Sequence, residues 1–159
     1  MDLLPVLRQN EEMLANYFAK ETAQCHIHTT FNLPEGAMPL RGNPDLLSKT
    51  IMSLLGNAVY AVVKKAQKEQ YVPEVSLTAT VADRHYILKI RDNGIGIEEK
   101  ILGKIFDPFF TTKTTDEAAG VGLYLSREIV QNHGGDISVQ SVKDEYTEFT
   151  ITLPNNQTI

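Results

Sequence analysis

The feature that most restricts this chain is a helix legible between residues 43 and 67. Asn43 can cap its first free N–H groups, Pro44 takes the first helical position, and Asp45 complements the helix dipole. Leu47, Ile51, Leu54, Leu55, Ala58 and Val62 then recur at three- and four-residue steps, predicting a helix to about Gln67 with a broad buried stripe. Ser53 and Asn57 lie four apart on a neighbouring face. An asparagine among apolar helix residues loses about 1–3 kcal/mol unless its amide is hydrogen-bonded. Its oxygen is also the kind of ligand Mg²⁺ takes while bridging substrate phosphates. The helix alone fits either a structural Asn57 or a metal-binding one.

The chain has 159 residues, 42% of them hydrophobic and 22% charged, so it can bury its own core as one α+β or α/β domain over residues 1–159. Acids and bases are interspersed at a net charge of −5, which leaves no basic footprint for nucleic acid. A single cysteine, Cys25, excludes an internal disulfide and reads as a small buried apolar residue. We find no apolar run approaching membrane-spanning length and no signal-peptide pattern, so no membrane contact is expected of this segment.

Around the long helix the other elements follow in order. Asp2 to about Ala23 predicts one helix, with Leu7, Met13 or Leu14, and Tyr17 or Phe18 forming its stripe. Cys25 to Leu33 alternates and is β-branched, predicting a strand on which His26 and His28 share an exposed face. With no third ligand nearby, exposed edge histidines are the simpler reading than a metal pair. Glu74 to Ala82 and Tyr86 to Asp92 form an antiparallel hairpin turned by Asp83-Arg84-His85. Glu98 to Phe106 reads as a short helix and Val121 to His133 as the last long one, ended by Gly134-Gly135. Thr111 to Ala119, rich in Thr and charge without periodicity, reads as a mobile surface loop. Strands at Ile137 to Val142 and Thr147 to Leu153 complete the sheet, and 154–159 is expected to be a frayed tail.

The chemistry is concentrated between Ile90 and Leu125. Asp92-Asn93-Gly94-Ile95-Gly96 sits where a strand ends and the chain must turn, and Gly94 and Gly96 let the backbone approach a ligand. A carboxylate at the mouth of such a turn can accept from an exocyclic amine of the kind adenine carries. Gly120-Val121-Gly122 opens a helix, a favourable place for an anion. Between them, Phe106-Asp107-Pro108-Phe109-Phe110-Thr111-Thr112-Lys113 passes from apolar to hydroxylated and basic. The third glycine of a dinucleotide fingerprint is missing, because its position is Glu99. Taken singly, DNG is a common turn and GVG an ordinary helix start; their order, with Asn57 upstream, points to a nucleotide site.

Taken together, Asn57 on a long helix, DNGIGI, FDPFFTTK and GVGLYLSREIVQNHGGDI resemble the catalytic ATP-binding domain of sensor histidine kinases, in the GHKL superfamily shared with gyrase and MutL-type ATPases. The similarity runs from the first helix to Leu153, and FDPFFTTK with Ala61 four residues after Asn57 looks most like the nitrogen-regulation subgroup. The resemblance implies the Bergerat fold, a two-layer α/β sandwich of α+β class. Its mixed, mainly antiparallel sheet packs on three helices. It implies ATP or ADP with Mg²⁺, with Asn57 as metal ligand and Asp92 accepting from the adenine amine. Gly94 and Gly96 would shape the adenine end, and Ile97, Tyr60 and Ala61 would be among the ATP-binding residues. Thr112 and Lys113 would belong to the lid, and Gly120, Val121, Gly122 and Leu123 to the phosphate-side turn. The implied partners are the dimerisation and phosphoacceptor helices of a parent kinase and, indirectly, a response regulator, in the cytoplasm.

The chain departs from the family pattern at several positions. Many relatives carry a basic residue where this chain has Tyr60, and Asp116 and Ala118 stand where lid glycines are usual. A carboxylate beside phosphates should make the lid close less readily. Tyr146 replaces a glycine before the last strand, a change expected to be structural. Ser53 occupies the place where gyrase-type ATPases carry the glutamate that activates water, so ATP hydrolysis is expected to be slow. None of His26, His28, His85 and His133 has the helical His-Glu or His-Asp setting of a phosphoacceptor. Two competing readings share these motifs: a degenerate nucleotide-binding signalling module without phosphotransfer, and an anti-sigma-type serine kinase.

Overall fold

The computed structural model describes residues 1–108 and 119–155, with backbone alone at 119–122. The helix read from residues 43–67 forms as α3 (Pro44–Ala66): the Asn43 side chain accepts from the N–H groups of Asp45 and Leu46 at 2.9 and 3.1 Å. All six residues of its apolar stripe are buried, joined by Thr50, Val59 and Ala61. At 23 residues it is long and apolar enough to cross a membrane, contrary to the expectation that no run approached that length. Its burial accounts for that composition, since the helices at Leu3–Tyr17 and Ala119–Asn132 and two strands cover it.

Five strands form one sheet in the order β1-β2-β3-β5-β4, from β1 (His28–Asn32), β2 (Glu74–Val81), β3 (His85–Asp92), β4 (Asp136–Val142) and β5 (Tyr146–Pro154). β1 runs parallel to β2 and every other pairing is antiparallel, so the sheet is mixed and mainly antiparallel as expected. On β2 and β3 the predicted alternation puts Val75, Leu77, Ala79, Tyr86, Leu88 and Ile90 in the core, while Val81 is half exposed at the hairpin end. The opposite face is polar: Glu148 pairs with Lys89 and Arg91, and Arg91 stacks over the Tyr146 ring at 4.1 Å. Tyr146 is therefore structural, as expected. A sheet wet on one face gives two layers rather than three.

α1 (Leu3–Tyr17) and α2 (Ala19–Cys25) replace the single N-terminal helix that was expected. The helix breaks at Phe18, whose ring packs 3.6 Å from the position a side chain on Gly56 would take, while Tyr17 points to solvent. The strand expected from Cys25 begins only at His28, because Cys25 ends α2 and His26 adopts a left-handed conformation there. Both histidines are exposed, and Cys25 is half-buried rather than buried. α4 (Glu99–Leu102) is shorter than expected, and turns carry the chain on to Asp107. Phe106 leaves helical geometry to pack edge-on against Phe149, with Arg127 over its ring at 4.7 Å. α5 (Ala119–Asn132) starts two residues earlier and ends one residue earlier than predicted, and the turn after it carries Gly134 at φ +81°. β5 runs through Pro154, so the first residue of the expected tail belongs to the sheet.

Candidate nucleotide-binding site

β3 delivers Asp92 to the core face in step with Tyr86, Leu88 and Ile90, and the residue is 4% exposed. One oxygen accepts the Gly94 N–H at 2.8 Å, using one of roughly four acceptor sites on the carboxylate. Burial pushes its pKa up to about 7, against the opposing pull of that N–H, Arg91 and Lys65. Its cross-strand partner on β5 is Thr147, also buried. The result is an acceptor-rich group in a dry setting at the end of a strand.

The following turn is pressed against α3. A side chain on Gly94 would sit 2.4–2.7 Å from the backbone and Cβ of Ala61, so only glycine fits. Ile95 donates to the Ala61 carbonyl at 3.2 Å, and the Ile95 carbonyl accepts the Asp144 N–H at 2.6 Å. Gly96 has φ +67° and lies against the Val142 carbonyl, which closes the position to any other residue. Asn93 holds the turn's other side, accepting the Glu74 N–H at 2.7 Å and donating to the Val72 carbonyl at 2.8 Å. Ile97 donates to Ser141 Oγ at 2.8 Å. That hydroxyl donates to the Tyr146 carbonyl at 2.7 Å, so Thr147 is the donor in the 2.9 Å Ser141–Thr147 bond.

Tyr60 and Ala61 lie three and four residues after Asn57 along α3, with Asn57 and Tyr60 half-buried and Ala61 buried. The Lys64 ammonium lies 5.6 Å from the Tyr60 ring centre. Leu123 is buried on α5, which packs against α3, and the backbone of Gly120, Val121 and Gly122 forms the first turns of α5. Asp92, Gly94, Gly96, Ile97, Tyr60 and Ala61 thus gather at one end of α3. Thr112 and Lys113, Asp116 and Ala118, and the predicted loop except Ala119, lie outside the described residues. Four residues of the turn's frame escaped the sequence reading: Lys65, Ser141, Asp144 and Thr147. A lysine near a helix end and hydroxyls on a Thr-rich hairpin carry no pattern that marks them.

The buried Asp92 carboxylate can read an exocyclic amine, and a helix start such as that of α5 can hold an anion. Residues 42–157 match the family model of histidine kinase-, DNA gyrase B- and HSP90-like ATPases. The signal transduction histidine-protein kinase AtoS of Escherichia coli K12 is 34% identical over 133 residues, 84% of this chain and 21% of AtoS. The sensor histidine kinase ZraS of Escherichia coli O157:H7 is 32% identical over 139 residues, 87% of this chain and 28% of ZraS. The chain thus spans between a fifth and a third of these relatives. Its fold matches the nucleotide-free catalytic domain of histidine kinase ThkA (TM-score 0.75, 21% identity, 94% of each chain). It also matches the mycobacterial sensor histidine kinase MprB (TM-score 0.77, 20% identity, 97% of this chain and 96% of that one). The chain belongs to the family of histidine kinase-, DNA gyrase B- and HSP90-like ATPases, as an ATP-binding catalytic domain of the kind found in sensor histidine kinases.

Proposed function

We propose that this domain presents Mg-ATP for phosphoryl transfer to a histidine on dimerisation and phosphoacceptor helices outside the chain, which would then supply a response regulator on the cytoplasmic side. The observation that carries the reading is Asp92: a nearly fully buried carboxylate, fixed by the Gly94 N–H, at the mouth of a turn pressed onto α3. A purine base lodged there would give its exocyclic N–H to the carboxylate, with Ala61, Gly94, Gly96 and Ile97 around it. The triphosphate would then extend toward the start of α5, where the N–H groups of Gly120 to Leu123 favour negative charge. Thr112 and Lys113 would close over it.

The residues fit a bound Mg²⁺ of one kind. Among the described residues no group of three or more His, Cys, Asp or Glu could hold a metal. A cation would therefore be carried by the phosphates, with the Asn57 oxygen as the protein donor, the arrangement Mg²⁺ favours when it keeps several waters. A Mg²⁺ held there by Asn57 would supply positive charge against the phosphates. Ser53, one helical turn before Asn57, has no basic group to activate water, so hydrolysis competes poorly. General-base assistance contributes roughly 10²–10⁴-fold.

The test supplies labelled ATP and a separate dimerisation and phosphoacceptor protein from a relative. Acid-labile label on that protein's histidine, absent when either component or Asn57 is removed, is the expected result. Rapid phosphate release by the domain alone, or label on serine, would refute the reading.

A further inference from the structure

We propose that Lys65 is a positioning residue for adenine recognition, closing a ring of contacts that fixes the Asp92 turn and holds its carboxylate ready to accept; this rests on the adenine role given to Asp92 above. The ring can be traced bond by bond. The Ala61 carbonyl on α3 accepts from Ile95, the Ile95 carbonyl accepts from Asp144 at 2.6 Å, and the Asp144 carbonyl accepts from Lys65 Nζ at 2.8 Å. Lys65 lies one helical turn beyond Ala61, so the circuit returns to the helix it left. A second, longer bond of 3.4 Å joins the same ammonium to the carbonyl of Asn93, the residue directly after Asp92.

Three further observations separate this lysine from a solvated surface charge. Its side chain is only 15% exposed. Its ammonium lies 4.8 Å from the Tyr71 ring centre and 3.7 Å from Glu69, and Tyr71 is itself anchored by a 2.7 Å bond to the Val62 carbonyl. Asp144 also adopts φ +65°, a conformation uncommon outside glycine and asparagine; its N–H and C=O are both engaged in the ring, which holds it there. The β4–β5 turn is thus pinned to the turn that carries Asp92, through one side chain of α3.

Charge adds to geometry. The groups that face Asp92 are Lys65 from α3, Arg91 on its own strand, Tyr71 from the segment after α3 and the neutral Thr147 opposite it, while His28 on β1 and Glu74 on β2 line the same cavity. Lys65 is the cation contributed by the helix side, and it favours the ionised carboxylate. Ionised, Asp92 is an acceptor only and takes the adenine amine more strongly than the protonated acid would.

Calorimetric titration of ADP against pH, run on wild type, Lys65→Met and Lys65→Arg, tests the assignment, with ¹³C NMR of the Asp92 carboxyl alongside. Lys65→Met should weaken ADP roughly three- to tenfold at pH 7. It should also move the pH at which affinity falls, and the Asp92 resonance with it, upward by about half a unit or more. Lys65→Arg should restore most of both. Loss of affinity in Lys65→Met with an unmoved Asp92 titration would make the lysine merely structural and overturn the proposal. So would wild-type behaviour of Lys65→Met. Should Asp92→Ala itself leave ADP affinity unchanged, the adenine assignment fails instead, a result distinct from either of these.

Discussion

The two ends of α3 are held by different means. At its N-terminus Asn43 caps the helix through its own side chain, and the Asn43 N–H donates to His133 Nε2 at 3.0 Å. His133 Nδ1 donates in turn to the Ile129 carbonyl at 2.7 Å, tying the end of α5 to the start of α3. At the C-terminal end, Ala61 and Lys65 hold two turns from other parts of the chain, and a buried carboxylate sits beneath them. The first end is an economical stop that stabilises the fold. The second keeps a charge out of water and a residue in left-handed geometry, both unfavourable for stability and both useful for a ligand. Stability and binding should therefore separate along one helix, and substitutions can show whether they do.

The largest effect is expected at Gly96. Gly96→Ala adds a methyl where φ is +67° and the Val142 backbone is already in the way, so the turn must shift. It should lose about 1–3 kcal/mol of stability and more than tenfold in ATP affinity, read by denaturant melts and calorimetry. Asp92→Asn comes next and should divide the two properties. ATP affinity falls roughly ten- to hundredfold, the equivalent of about 1.5–3 kcal/mol for a charged hydrogen bond, while the nucleotide-free fold becomes more stable.

That gain has a sign that can be checked against pH. Burial raises the Asp92 pKa from 3.8 to about 7, so between those values the folded chain binds a proton that the unfolded chain does not. The contribution of Asp92 to stability is thus greatest below its unfolded value and is lost as pH rises through about 7. Nucleotide affinity should run the opposite way, strengthening as the carboxylate ionises. Melts and titrations between pH 5 and 8 should show the two trends crossing, and Asp92→Asn should flatten both.

The smallest effects belong to the other end. Asn43→Ala should cost about 0.5–2 kcal/mol of stability, the usual range for a lost cap, and His133→Ala about 0.5–1.5 kcal/mol. Neither should change ATP affinity more than twofold in calorimetry. A large affinity loss from Asn43→Ala would mean that the ends of α3 are coupled rather than distinct.

The same contrast governs how much the sequence reveals. Asn43, Pro44 and the stripe from Leu47 to Val62 act within a few residues of one another, so α3 is legible to within a residue at either end. The β2–β3 hairpin is legible for the same reason, its period of two ending at Asp92. The break at Phe18 is not, because no Pro or Gly marks it; the ring leaves the helix to reach Gly56, nearly forty positions away. α4 shortens for a like cause, as Phe106 is drawn to Phe149. At the site, Asp92, Gly94 and Gly96 announce themselves as a turn, whereas Lys65, Asp144, Ser141 and Thr147 join it only through bonds that span the fold.

The most direct test of the account is whether the Asp92 carboxylate reads the adenine amine. ATP and purine riboside triphosphate, which lacks that amine, should be titrated against wild type and Asp92→Ala. Removing the amine should weaken binding to wild type about ten- to hundredfold and change binding to Asp92→Ala less than twofold, since the partner is already gone. Equal losses in both proteins would contradict it, because the amine and the carboxylate would then act independently.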